Sequence, residues 1–249
     1  MSIADIFSAP DDLRHLFIGV TVGVVTDIDD PDKLGRVKVK LLNRDTSVNE
    51  TDFIRILTPM TGRQWGMFFF PEVGDEVLVA FGHGNIERPY VLGSLWNQNY
   101  KPPEEIRNKQ NLVRKIKTKS GHELIFHDED QKDFIEIHTP KKLTIRLDDT
   151  NDVITIKDKT GNNILKMDTK NGIVTVTADK QMEIEAGSSN IKLDAVTNKV
   201  VVESTQSLLL KSQQINIESS GTLNLSATGG INIKSDGATK IKGAAVKLN

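Results

Sequence analysis

The 249-residue chain contains no cysteine, so disulfides and thiolate metal ligands are excluded and no redox compartment is implied. No run approaches the ~18 apolar residues of a membrane-spanning helix. The acidic start, with Asp5, Asp11 and Asp12, is expected not to be a signal peptide. Neither charge sign is in excess: 32 Lys+Arg against 34 Asp+Glu leave a net of −2, which removes the electrostatic reason to expect a nucleic-acid partner. No Gly-x-Ser-x-Gly, phosphate-loop or dinucleotide fingerprint is present, so no enzyme class is indicated and no cofactor is expected. Aromatics stop early. No Phe, Tyr or Trp follows Phe134, no proline follows Pro140 and no arginine follows Arg146. Such a change of composition marks two regions built on different packing rules.

Residues 1–18 place Ile3, Ile6, Phe7, Leu13, Leu16 and Phe17 at roughly helical spacing, broken by Pro10; they read as a short docking segment or as a frayed start. From Gly19 to about Asn97 the pattern is β. Val20, Val22 and Val24 alternate with small residues, and Val37, Val39 and Leu41 alternate with Lys38 and Lys40. Between them Asp29-Asp30-Pro31-Asp32-Lys33-Leu34-Gly35 supplies turn chemistry, proline setting φ and glycine free to take φ > 0. Further strands are expected at Phe53–Leu57, Glu76–Phe81 and Tyr90–Leu95. Five short strands between turn signals predict a small closed barrel of oligonucleotide/oligosaccharide-binding (OB) type over 19–98. Residues 99–120 read as a connector, extended at Lys101-Pro102-Pro103 and basic through Arg107, Lys109, Arg114, Lys115, Lys117 and Lys119. A solvated or inter-subunit strap is the better account of those charges than a phosphate-binding patch.

The strongest signal is an internal repeat. It begins raggedly at Ile154/Ile156, Leu165/Met167 and Val174/Val176. It then settles into Met182/Ile184, Ile191/Leu193, Val200/Val202, Leu208/Leu210, Ile215/Ile217, Leu223/Leu225 and Ile231/Ile233. From Met182 the steps are 9, 9, 8, 7, 8 and 8 residues, and two places beyond each pair stands Ala186, Ala195, Ser204, Ser212, Ser219, Ala227 or Ser235. Period-two alternation puts apolar and small positions on one face of a short strand and leaves Glu183, Glu185, Lys192, Asp194, Asn216, Glu218, Asn232 and Lys234 to water. Val201 and Leu209 break this rule. A five-residue strand cannot bury its face alone. A single-chain β-helix takes ~20 or more residues per coil, whereas three chains wound together need only about 8 from each. The expected fold is therefore all-β: an N-terminal OB barrel, then an intertwined triple-stranded β-helix (β-prism) over 121–249, as a homotrimer. At ~4.7 Å per strand its length would be roughly 50–60 Å.

Candidate chemistry is weighed against simpler readings. His122 and His127 flank Glu123 beside Asp128, but an odd separation of five puts them on opposite faces of a strand. His15, His83 and His138 stand apart in sequence. Asp27-Ile28-Asp29-Asp30-Pro31-Asp32 opens like a calcium loop, yet Asp32 stands where that loop needs glycine and Lys38 where it needs a bidentate carboxylate. Asp128-Glu129-Asp130 reads as a turn, not as an acid pair for glycoside hydrolysis. Trp65, Phe68, Phe69 and Phe70 could form a stacking platform for single strands, but Glu72, Asp75 and Glu76 follow at once, so core packing is the expected role. No catalytic, cofactor or metal residue is assigned.

Three segments carry a family resemblance: Gly23-Val24-Val25-Thr26-Asp27, Asp30-Pro31-Asp32-Lys33-Leu34-Gly35-Arg36-Val37-Lys38-Val39, and Phe70-Pro71-Glu72-Val73-Gly74-Asp75-Glu76-Val77-Leu78-Val79-Ala80-Phe81. With Arg88-Pro89-Tyr90-Val91-Leu92-Gly93-Ser94-Leu95 they resemble the OB domain of VgrG and phage baseplate spike proteins. Lys119-Ser120-Gly121-His122-Glu123-Leu124-Ile125-Phe126 is similar to the entry into their β-helix. The resemblance implies a non-enzymatic homotrimeric central spike of a contractile injection system (phage tail, tailocin or extracellular injection particle), assembled in the cytoplasm, that pierces a target membrane. It differs from VgrG in having only 18 residues before the barrel, which points to a baseplate assembly protein V type of spike with the hub on a separate polypeptide. With no histidine after His138, a terminal histidine-x-histidine iron site is not expected; a separate PAAR-type tip protein is expected on Val246, Lys247, Leu248 and Asn249. The alternative is a trimeric fibre-like adhesin or carbohydrate-binding module, for which the repeat offers no aromatic platform.

Overall fold

A computed structural model describes residues 19–42, 49–106 and 109–247. The 1–18 segment with His15, the connector's Arg107, and Leu248 and Asn249 lie outside the described residues. The chain divides into two compact units, Met1–Val176 and Thr177–Asn249. Among the described residues there is no α-helix.

Strands β1 (Val20–Asp27), β2 (Arg36–Leu41), β3 (Ile54–Ile56), β6 (Glu76–Phe81) and β7 (Pro89–Ser94) close into a barrel in the order β1-β2-β3-β7-β6. All pairings are antiparallel except β3 with β7. The inward set is Val25, Val37, Val39, Leu41, Ile54, Val77, Val79, Phe81 and Val91, with Ile56, Phe70 and Ile86 packed against it. In β1 the inward residues are Thr21, Gly23 and Val25, so the Val20/Val22/Val24 alternation marks the outer face. Gly23 explains this inversion. A Cβ there would overlap the Val39 side chain, so its absence lets β1 and β2 approach and Val39 fill the barrel.

Two further strands, β4 (Thr61–Gly62) and β5 (Trp65–Gly66), form a hairpin between β3 and β6 that the alternation did not indicate.

After the barrel the chain runs into a seven-stranded meander in strict sequence order: β8 (Val113–Lys117), β9 (Glu123–His127), β10 (Phe134–His138), β11 (Thr144–Asp148), β12 (Val153–Lys157), β13 (Ile164–Asp168) and β14 (Ile173–Thr177). β8 lies within the stretch expected as connector. Each of the six turns holds one left-handed residue: Gly121 (φ 89°), Gln131 (60°), Lys142 (64°), Asp152 (55°), Gly161 (76°) and Gly172 (66°). The second unit holds a three-stranded antiparallel sheet of β15 (Gln181–Ala186), β16 (Ser189–Asp194) and β17 (Lys199–Glu203). No strand is formed among the described residues beyond Glu203.

Here the structure differs from the expectation of between-chain pairing throughout 121–249: from β9 to β17 the strands pair within the chain, in hairpins. Spacing supplies the reason. Successive apolar pairs starting at Leu124, Ile135, Ile145, Ile154, Leu165 and Val174 are separated by steps of 11, 10, 9, 11 and 9, and each step is a paired hairpin. The step of 8 from Val174 to Met182 carries no pairing, the two steps of 9 that follow do, and no step of 7 or 8 beyond Val200 does. With five-residue strands, a step of nine or more leaves at least about four residues for the turn; a step of seven or eight leaves only two or three, and so tight a hairpin needs residues suited to φ > 0, as Gly187 (φ 58°) is between β15 and β16.

Candidate functional site

The sheets segregate their faces. Cross-strand register aligns Leu124 with Ile137, Phe126 with Ile135, Ile137 with Ile145, Ile135 with Leu147, Leu147 with Ile154 and Ile154 with Met167. These side chains form one continuous apolar face, which no other described residues cover. Leu124, Ile154 and Leu165 on it are half-buried, and the rest are exposed, from 39% at Ile135 and Met167 to 66% at Val174. In the second unit Met182, Ile184, Ile191, Leu193, Val200 and Val202 align in the same manner. Beyond them Leu208, Leu210, Ile215, Ile217, Leu223, Leu225, Ile231 and Ile233 are exposed without strand partners.

The opposite face of the meander is cross-linked by charge. Glu123 receives Lys115 at 3.2 Å and Lys117 at 2.9 Å, and Lys115 also reaches Glu104 at 2.8 Å. The Lys117 contact, aided by Lys115, outweighs burial and lowers the Glu123 carboxyl; burial opposes the rise of Lys115, but its two carboxylates prevail. Arg146 contacts Glu136 at 3.4 Å and Asp148 at 3.2 Å, and its guanidinium lies 3.7 Å from the Phe134 ring centroid. His127 stacks on the same Phe134 ring, the centroids 4.7 Å apart. Val201, which broke the alternation, stands on the polar face of β17 opposite Lys192 and is half-buried, while Val200 and Val202 are exposed; a lysine stem is apolar enough to cover it.

The other sequence candidates resolve as structure. Asp30 is buried, its side chain 3% exposed, and accepts from Arg36 Nη2 at 2.6 Å and Nε at 2.9 Å and from the N–H groups of Asp32 and Leu34. The Arg36 guanidinium, with those two N–H groups, holds the Asp30 carboxyl well below the usual carboxylate range. The calcium-like segment is thus a turn whose central carboxylate is already filled. Asp128 pairs with Arg114, and Glu129 with Lys132 at 2.5 Å across a turn. His122 precedes β9 and His127 lies on its polar face. His83 sits in a 3-10 turn with φ 55°, and His138 contacts Glu136 at 2.9 Å. Among the described residues no group of three His, Asp or Glu gathers as metal ligands. Of the expected cap contacts, Val246 is 53% exposed; Lys247 is exposed beside it.

One expectation is corrected. Of the aromatic cluster only Phe70 packs against the core; Trp65, Phe68 and Phe69 are 61%, 82% and 65% exposed. The β4–β5 hairpin carries them away from a barrel that its valines already fill.

Comparison with known proteins agrees with this architecture. Residues 21–96 match the type VI secretion system/phage-baseplate injector OB domain. The chain is 28% identical over 127 residues to the type VI secretion system spike protein VgrG1b of Pseudomonas aeruginosa, covering 47% of this chain and 17% of that one. It is 31% identical over 117 residues to the spike protein VgrG3 of Vibrio cholerae, covering 44% and 12%. It is 30% identical over 117 residues to the actin cross-linking toxin VgrG1 of Vibrio cholerae, covering 44% and 11%. The matched stretch is thus less than a fifth of each relative's length.

Proposed function

We propose that this chain, a member of the VgrG and phage baseplate V family through the injector OB domain at residues 21–96, is the central spike at the tube tip of a contractile injection system. The observation that carries the reading is the apolar face running the length of the meander after that domain, left without cover among the described residues. Three copies related by a threefold axis would turn these faces inward as the walls of a prism. A triangular interior is narrow, which suits the absence of aromatics after Phe134. Beyond Glu203, where the steps shorten to 7 and 8 residues, the chains would wind around one another and pair between copies.

In this reading the spike acts mechanically. The barrel end joins a separate hub protein of the baseplate, and the particle is assembled in the cytoplasm. Sheath contraction drives the prism through the target envelope, and a PAAR-type protein caps Val246, Lys247, Leu248 and Asn249. No catalytic step is assigned to any residue. The test is mass measurement of the purified full chain under native conditions. Three chains per particle are expected; a well-folded monomer at micromolar concentration refutes the proposal.

A further inference from the structure

Neither the barrel core nor the spike accounts for the segment from Leu57 to Phe69. It leaves six large apolar side chains in water: Phe68 at 82%, Phe69 at 65%, Leu57 at 64%, Trp65 at 61%, Met60 at 49% and Met67 at 42% exposed. Arg63 is its one charged residue. At about 200 Å² per fully exposed large side chain, the open area is on the order of 700 Å². That is above the ~300–600 Å² of an ordinary monomer's largest patch and approaches the ~800 Å² per partner of a stable interface.

The segment is braced. Thr61 and Gly62 pair with Gly66 and Trp65 in β4 and β5. The Met67 N–H donates to the Met60 carbonyl at 3.0 Å, and the Thr58 hydroxyl to the Met67 carbonyl at 2.8 Å. The Trp65 indole lies on Gly62, where any Cβ would overlap it. Phe68 stacks on Phe70 at 5.4 Å, and Phe70 is anchored on the barrel core. Aromatic groups are therefore held out to water by a rigid support, so little entropy remains to be lost when a partner covers them.

The composition selects the partner. Near-absence of charge is characteristic of an interface core and is most pronounced in obligate interfaces, which resemble a core cut in half, so a partner that stays bound fits the segment better than a transient one. The compact unit holding the hairpin already demands such a partner, because the apolar face of its meander is open. Glu72, three residues past Phe69, is ion-paired with Lys119 at the entrance to β9 at 3.1 Å, which ties the hairpin's root to the start of that face. We infer that the β4–β5 hairpin docks each barrel onto the barrel of the next copy around the spike axis, a head-to-tail contact that closes into a ring of three.

The inference rests on the trimer proposed above, and the experiment separates the two. Trp96→Phe, at a 70% exposed site, leaves Trp65 as the single tryptophan of the full chain. Native mass and acrylamide quenching are read on the same sample. The expected result is a three-chain mass with Trp65 emission shifted to the blue and quenching several-fold weaker than in urea. Adding Phe68→Ser and Phe69→Ser should keep the three-chain mass, through the spike sheets, while Trp65 quenching rises several-fold. A three-chain mass with Trp65 quenched as readily as in urea overturns the hairpin contact alone, and is also the result expected if the hairpin serves a different protein. A folded monomer overturns the trimer and this inference together.

Discussion

Asp30 and Gly23 show how much single positions decide in the barrel. Gly23 faces inward where β1 meets β2, and a methyl group there would overlap Val39. Gly23→Ala is expected to cost about 1–3 kcal/mol by overpacking, read as a lower denaturation midpoint at unchanged slope. Asp30, held low by Arg36, and Asp158, held low first by the Asn163 side chain and then by Thr160, make stability depend on acid. Each carboxyl has a folded pKa below its unfolded one, so the unfolded chain takes up protons first as pH falls. The stabilisation is complete above about pH 5, fades below the unfolded value of about 4, and is gone once the folded group protonates. The thermal midpoint should therefore be level from pH 7 to about pH 5 and drop below about pH 4. Asp30→Asn should lower the midpoint at pH 7 and flatten the acid decline. An acid decline as steep in that variant as in the parent would mean that the Asp30–Arg36 turn contributes nothing.

Turns and spacings govern the strands. Asp148, Asp158, Asp168 and Asp194 each end a strand or follow it and accept backbone N–H groups from the next turn, from Asn151, Gly161, Asn171, and Val196 with Thr197. The same donors appear in their lowered carboxyls: Asn171 is the chief cause at Asp168 and Thr197 at Asp194, while at Asp148 burial works against Asn151 and Arg146 and is outweighed. Past Glu203 the corners carry serine, threonine and glycine, and the hairpins stop. In that tail Ile217→Asp or Leu225→Asp should abolish assembly, because three carboxylates would meet in one dry layer. Asn216→Asp, one place along and facing water, should not. A heat-stable trimer of Ile217→Asp would show the facing to be reversed. The barrel strands and the repeat were legible because valines with a period of two, outward in β1 and inward in β2 and β6, and paired apolar positions carry the strand signal. The β4–β5 hairpin was not, since two-residue strands have no period and Phe68 and Phe69 look like core in any hydrophobicity pattern. The pairing partners of β9 to β17 were also missed. Alternation fixes which face a residue takes, but a strand's neighbour depends on its turn, on the length of that turn and on whether a residue such as Gly187 can take φ > 0 there.

Taken as an assembled object, the spike has separable parts. Ending the chain at Glu203 should preserve a strand-rich fold, since β8 to β17 find their partners in-chain; circular dichroism retaining the β signal checks this. Deleting 244–249 should leave the trimer intact and remove binding of a small tip protein in a pull-down, whereas retained binding would place the cap elsewhere. Zymography on peptidoglycan should give no lysis band; one that disappears on mutating Asp128 or Glu129 would make the chain an enzyme. The meander's strict order has one further consequence, for how such a sheet can change length. The sheet advances across its strands by about 4.7 Å for each one added. Loss or gain of a single strand reverses the direction in which every later strand crosses the sheet, whereas a whole hairpin, about 9–10 Å, leaves all of those directions unchanged.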